Sequence, residues 1–150
     1  MRLERTIAAI ERGMQQGLHV GAQLYVSLHG QVVADQAFGI AREGVAMTPD
    51  TLMLWLSAGK PISAVAIAQL WERGLLELDD VVAAHIPEFA AGGKEAITIR
   101  HILTHTGGFR AVLGHWEDKP WDRVIAAICA ARLEPRWVPG EIAGYHPLTS

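Results

Sequence analysis

The chain has 150 residues, 50% hydrophobic and 19% charged, which is about one domain's worth of sequence with enough apolar material for a core. Disorder is excluded as its main state. Thirteen Lys plus Arg against sixteen Asp plus Glu give a net charge of −3 with no clustered basic footprint, so nucleic acid is excluded as an expected partner.

The single cysteine, Cys129, can form neither an internal disulfide nor a zinc cluster, and the chain reads as intracellular with no cofactor. The opening Met1-Arg2-Leu3-Glu4-Arg5 puts charge where a signal peptide needs an apolar core, and no later run approaches ~18 apolar residues. A cytoplasmic chain without a membrane segment is expected, taking Met1 as the native start.

Leu3, Ile7, Ile10 and Met14 recur at steps of four, three and four, which predicts an amphipathic helix that Gly17 closes. Val20, Ala22, Leu24, Val26 and Leu28 then alternate with Gly21, Gln23, Tyr25 and Ser27, the period of a strand with one buried face. His29-Gly30 turns the chain, and Gln31 to Gly39 returns as the second strand of a hairpin.

Beyond Thr51 the pattern becomes helical. Ile62, Val65, Ala66, Gln69 and Leu70 predict a buried stripe on a helix from Pro61 to Trp71, stopped by Gly74. Asp79 or Asp80 is placed to cap a short helix from Val81 to Ile86, and Thr98 to cap another from Ile99 to Thr104. Pro120 suits the first turn of a last helix whose buried stripe is Trp121, Val124, Ile125 and Ile128, with Cys129 as packing beside it. Pro135, Pro139 and Gly140 mark the tail as loop. Two strands do not make a stable sheet, so the hairpin asks for strands that this sequence does not visibly supply.

One serine and one lysine stand at i and i+3, in Ser57-Ala58-Gly59-Lys60. At the head of a helix this spacing lets the amine reach the hydroxyl, close to backbone N–H groups that have no partner within the helix. A serine becomes a nucleophile when such a base takes its proton. The same residues also read as an N-cap serine followed by a solvated lysine. The apolar run Leu52-Met53-Leu54-Trp55-Leu56 argues for the first reading, since it should deliver Ser57 from the interior.

Together with Gly74-Leu75-Leu76-Glu77-Leu78-Asp79-Asp80, the stretch from Ile97 to Phe109 (ITIRHILTHTGGF), and Pro139-Gly140 shortly before Tyr145, this motif resembles the serine beta-lactamase-related hydrolases. These are the class C beta-lactamases, the DD-peptidases and their esterase relatives. The resemblance implies an α+β fold of the beta-lactamase/transpeptidase type. In it a helix and antiparallel hairpin (1–50) precede a mostly helical part (51–150), and the later strands of the sheet are missing. It further implies that Ser57 is the acylated nucleophile, Lys60 its proton acceptor and Tyr145 a second proton shuttle. His146 and Trp116 are the expected substrate contacts, with Trp121 a further candidate pocket lining.

The implied reaction is acyl transfer from a small-molecule ester or amide, through a covalent acyl-enzyme, to water. Position 147 is Pro where the family's Tyr-x-Asn motif has Asn, which favours an esterase over beta-lactam or peptide recognition. The family's third motif, Lys-Thr-Gly or His-x-Gly on a strand, is absent, and the missing C-terminal part of the same enzyme is the expected partner. The alternative is a non-catalytic or truncated member that binds a ligand or a partner chain.

Other chemistries fit less well. His101 and His105 have the i, i+4 spacing of a helical metal pair, but Ile102 breaks the His-Glu-x-x-His pattern and no third ligand is near, so no metal is expected. Gly59-Lys60 fails as a phosphate loop, because Leu54 and Pro61 stand where that motif needs Gly and Ser or Thr. No serine lies in a Gly-x-Ser-x-Gly elbow.

Overall fold

The computed structural model describes residues 3–111 and 113–146. It has an α+β composition and divides into two compact units, one ending at Leu54 and the other beginning at Trp55.

The first unit opens with helix α1 (Glu4–Gln15), in which Leu3, Ile7, Ile10 and Met14 form the half-buried stripe and the charged residues face outward. Gly17 ends it at φ +71°, with Gly17 N–H bonded to Met14 O and Leu18 N–H to Gly13 O. That pair of bonds is the Schellman closure, which needs a left-handed residue.

Strand β1 (Gly21–Leu28) pairs antiparallel with β2 (Gln31–Arg42) through the two-residue turn His29-Gly30, both at positive φ. A turn of that hand matches the twist of the strands. Ala22, Leu24 and Val26 face the packed side as the alternation predicts, whereas Val20 and Leu28, at the strand's ends, are exposed. A bulge at Val26/Ser27 shifts the register, and the two-residue β3 (Val45–Ala46) adds a third strand beside β2. Gln23, on the outer face, donates from its amide to the carbonyls of Thr48, Pro49 and Thr51, which fastens the turn after β3.

The second unit carries α2 (Lys60–Glu72), α3 (Ile99–Leu103) and α4 (Trp121–Ala130), joined by short 3₁₀ turns and loops. Its core is Phe89, Ile97, Phe109 and Cys129, flanked by Ile102, Ile125 and Ile128, and the two phenylalanine rings meet edge to face at 5.2 Å. The inward position of Cys129 is the packing role expected of it.

Thr98 caps α3 as predicted. Its hydroxyl accepts from His101 N–H, and the His101 imidazole accepts from Thr98 N–H, a capping box with histidine where Glu or Gln is usual. The Asp79/Asp80 cap does not form. Residues 82–84 make only a 3₁₀ turn, because Val81 bridges to Thr98 and the Leu78 and Asp80 carbonyls are taken by Arg100 and Ile99 N–H groups. Asp79 instead pairs side-on with the Arg100 guanidinium, at 2.7 and 3.0 Å. Pro120 stands just before α4 rather than in its first turn, and Trp121, expected in the buried stripe, is 77% exposed. Val124, Ile125, Ile128 and Cys129 carry that stripe alone, one turn further along.

The buried lysine of this unit was not foreseen, because a lone lysine reads as surface. Lys94 has no exposed surface, and its ammonium donates to the carbonyls of Ala91 (2.6 Å), Cys129 (2.9 Å) and Ala131. Two of these close the C-terminal end of α4, where unpaired carbonyls and the helix dipole favour a cation. The rings of Phe89 and Phe109 stand 5.1 and 5.8 Å from the same nitrogen. Burial pushes the Lys94 pKa down, and the three carbonyls favour the charged form. Lys94→Met keeps the apolar stem and strands those carbonyls; unfolding in urea should show a loss of about 2–4 kcal/mol.

Candidate active site

The local backbone explains how a serine and a lysine three residues apart come together. Pro61 has no N–H, so the Ser57 carbonyl cannot receive the i+4 bond of an α-helix. The Lys60 N–H takes it instead, and residues Leu56–Gly59 wind as a 3₁₀ turn before α2 begins. In a 3₁₀ turn, side chains at i and i+3 eclipse. Lys60 Nζ accordingly lies 3.2 Å from Ser57 Oγ, to which it donates. Ser57 makes no side-chain cap for the helix, so the N-cap reading of this motif is not the arrangement found.

Leu56, immediately before the serine, is held at φ +48°, a left-handed conformation that disfavours a branched side chain. The apolar run that leads to it does not come from the interior. Leu52 is 97% and Leu54 83% exposed, and the expected inner stripe of α2, Ile62, Val65, Ala66, Gln69 and Leu70, is exposed as well. α2 is apolar on every side, so its sequence marks no single inner face. The half-buried positions are Lys60, Ala64 and Ile67.

The third group arrives from the far end of the chain. Helix α3 closes with the same Schellman pair as α1, Thr106 N–H to His101 O and His105 N–H to Ile102 O, here with His105 in the left-handed position at φ +57°. The tail is then laced to this corner. Glu134 N–H donates to Gly108 O, Gly140 N–H to Thr106 O and Gly144 N–H to His105 O, at 2.8, 3.1 and 2.8 Å. Tyr145 follows Gly144 directly, and its ring meets the His105 ring edge-on at 5.3 Å.

The Tyr145 hydroxyl is hydrogen-bonded to Ser57 Oγ and accepts from Lys60 Nζ at 3.1 Å, closing a triangle of three polar groups. The lysine nitrogen also lies 5.2 Å from the phenol ring centre. The hydrogen bond with Ser57 and then that from Lys60 hold the Tyr145 phenol below its ordinary pKa against the opposing effect of desolvation, with the Lys60 charge the smallest contribution. Such a phenol releases its proton more readily than a free tyrosine. The triangle opens on a cleft of about 430 Å³ lined by Pro61, Ala64, Ile102, Leu103 and His105.

Of the residues proposed from sequence, Ser57, Lys60 and Tyr145 thus converge. His146 lines a neighbouring cleft of about 320 Å³ on the other side of Tyr145, with Arg110, Glu134 and Trp137. Trp116 opens the 3₁₀ turn Trp116–Asp118, but its side chain lies outside the described residues, as does Pro147. Trp121 lines neither cleft. His101 and His105 are not a helical pair, since α3 ends at Leu103 and the His101 ring is engaged in the capping box. Among the described residues no cluster of three or more His, Cys, Asp or Glu is placed to hold a metal. No helix among them is long and apolar enough to cross a membrane. Sequence reasoning missed His105 and Trp137 as neighbours of the site; the one available signal was their place in the Thr-His-Thr-Gly-Gly stretch and two residues before Pro139-Gly140.

A serine, a lysine and a tyrosine thus share hydrogen bonds at the head of a helix, beside an open cleft. The Beta-lactamase family model matches residues 6–150, and the chain belongs to that family. Among curated proteins it is 40% identical over 118 residues to Esterase EstB of Burkholderia gladioli, covering 75% of this chain and 29% of the esterase. It is 33% identical over 147 residues to Esterase/beta-lactamase LipL of Mycobacterium tuberculosis, covering 97% of this chain and 33% of that protein. Among solved structures, a penicillin-binding protein homolog from Caulobacter crescentus superposes with a TM-score of 0.79 at 32% identity, covering 95% of this chain and 39% of that one. The α+β fold is therefore of the beta-lactamase and penicillin-binding-protein type. The chain spans about a third of the length of the curated relatives it matches.

The sequence has two tyrosines, so a Tyr25→Phe background leaves Tyr145 as the sole phenol. In that background the ultraviolet phenolate band should rise at a lower pH than for free tyrosine. Lys60→Met, which removes one donor and the positive charge, should move the rise to higher pH; an unmoved titration would mean that Lys60 does not act on the phenol.

Proposed function

We propose that this chain carries the nucleophile, the lysine and the tyrosine of a serine hydrolase that cleaves small-molecule esters through an acyl-enzyme. The observation that carries the reading is the closed Ser57–Lys60–Tyr145 hydrogen-bond triangle. In the proposed first step Ser57 Oγ bonds to the substrate's carbonyl carbon and its proton passes to the deprotonated Tyr145 oxygen, a form that the hydrogen bonds of the triangle favour. Collapse of the tetrahedral adduct breaks the ester C–O bond, and the same proton leaves with the alcohol. Water then takes the alcohol's place: its proton goes to Tyr145, its oxygen to the acyl carbon, and Ser57 is released protonated.

An ester is preferred to a lactam because Pro147 replaces the asparagine whose amide would hold an amide substrate. The esterase name of the Burkholderia gladioli relative supports the same choice. We further propose that the working enzyme includes polypeptide outside residues 1–150, which supplies the third motif and a second oxyanion donor. The share of the relatives that this chain spans supports it, as does the exposed apolar surface of Leu52, Leu54 and α2.

The test is covalent labelling of the intact protein with a fluorophosphonate, followed by peptide mapping. The adduct should sit on Ser57, and Ser57→Ala should abolish it while changing stability by less than about 0.5 kcal/mol, because this side chain is exposed. Label on another serine, or none on folded protein, would overturn the assignment and favour a non-catalytic binding role. Tyr145→Phe should slow acylation about 10²–10⁴-fold, the usual worth of a positioned proton acceptor, as measured by stopped-flow with a chromogenic ester.

A further inference from the structure

We propose that Trp137 is a positioning residue of this site: its indole is a wedge between Gly108 and Gly144 that sets where the Tyr145 hydroxyl meets Ser57 and Lys60. The inference rests on the catalytic reading of Tyr145 given above. Tyr145 lies on a tail segment without regular secondary structure, and that segment must be held by something other than helix or sheet hydrogen bonds.

The indole lies across the corner at which the tail meets the end of α3. Its Nε1–H donates to Thr106 O at 3.2 Å. The pyrrole edge covers Gly108, where a Cβ would overlap Cδ1, and the far end of the ring reaches Gly144, where a Cβ would lie 2.6 Å from Cη2. Gly108 also sits at φ +73°, so both space and backbone require glycine there. Gly144 has no such backbone demand, and only the ring excludes a side chain at that position. Its N–H is bonded to the carbonyl of His105, whose ring is the edge-on neighbour of the phenol. The position of residue 144, and with it the direction of the next side chain, is therefore fixed by a bond on one side and an indole on the other.

The ring makes no hydrogen bond to Ser57, Lys60 or Tyr145. Its influence passes through the backbone. A shift of about 1 Å in a reacting group costs up to about 10²-fold in rate.

Gly144→Ala tests the wedge from the other side, since it adds one methyl group against Cη2. In the intact protein, Gly144→Ala should lower kcat for a chromogenic ester about 10–100-fold with KM within about threefold. It should also move the Tyr145 titration, read in the Tyr25→Phe background, to higher pH. Replacing the indole by a shorter ring in Trp137→Phe/Gly144→Ala should recover at least about tenfold of the lost kcat and return the titration toward its starting pH. Trp137→Ala alone should lower kcat and shift the titration in the same direction as Gly144→Ala.

The proposal is overturned if Gly144→Ala leaves kcat and the titration unchanged, or if the double variant is no better than Gly144→Ala. Melting temperatures that fall while the titration stays fixed would also overturn it, by reducing Trp137 to a packing residue. If fluorophosphonate fails to label Ser57 in the unsubstituted protein, the hydrolase reading fails; the titration of Tyr145 still reports whether Trp137 aims the phenol.

Discussion

A proline without an N–H sets the geometry on which this site depends. With Pro61 at the second position of α2, the carbonyl of Ser57 is left for Lys60, and the turn tightens from four residues to three. A continuous α-helix would advance the lysine about 300° around the axis, 60° short of full eclipse, from its 3.6 residues per turn. The 3₁₀ turn removes that offset, so a long, flexible amine needs little rotamer restriction to reach the hydroxyl. The left-handed backbone at Leu56 stands at the start of the same turn, immediately before Ser57.

The other half of the site is built by a helix end. α1, α2 and α3 close in the same way, with N–H groups folded back on the last free carbonyls. In α1 and α2 a glycine takes the left-handed position, whereas in α3 it is His105. A histidine there is strained relative to glycine, and it presents a ring to Tyr145 and a carbonyl to Gly144. The tail contributes its hydrogen bonds to this corner rather than to a sheet. Two irregular segments thereby hold a phenol in register with a helix some 85 residues earlier in the chain. Regular elements supply the lysine, and paired loops supply the tyrosine.

The parts that were legible in the sequence are the ones decided within a few residues. The α1 stripe, the His29-Gly30 turn, the Thr98 cap and the Gly17 and Gly74 stops each follow from local sterics and hydrogen bonding, and each is found. The Ser57–Lys60 pairing is equally local. Burial was less legible, because periodicity reports how apolar a face is and not what covers it. α2 shows the point: Ile62, Val65 and Leu70 alternate with other small or apolar residues, so no stripe stands out, and the exposed side cannot be chosen from its sequence. Lys94 fails in the opposite direction, since its burial depends on one neighbouring carbonyl and on two from a segment some 35 residues later. Tyr145 was reached through resemblance; nothing in its own neighbourhood indicates a partner 85 residues away.

These two lysines also show what decides whether a buried or half-buried amine is structural or chemical. Lys94 donates to backbone carbonyls, which have no proton to exchange, and its cation ties the end of α4 to the turn at Ala91. Lys60 donates to two hydroxyl oxygens, both able to give up a proton and both at the edge of an open cleft. The hydrogen bonds that Tyr145 shares with Ser57 and then with Lys60 favour the phenolate over the phenol and lower its pKa, with the Lys60 charge a smaller contribution in the same direction. Because Tyr145 is still 54% exposed, water screens that attraction in the arrangement described. Excluding water from the cleft would strengthen that attraction and at the same time disfavour the bare phenolate, so the two effects oppose one another.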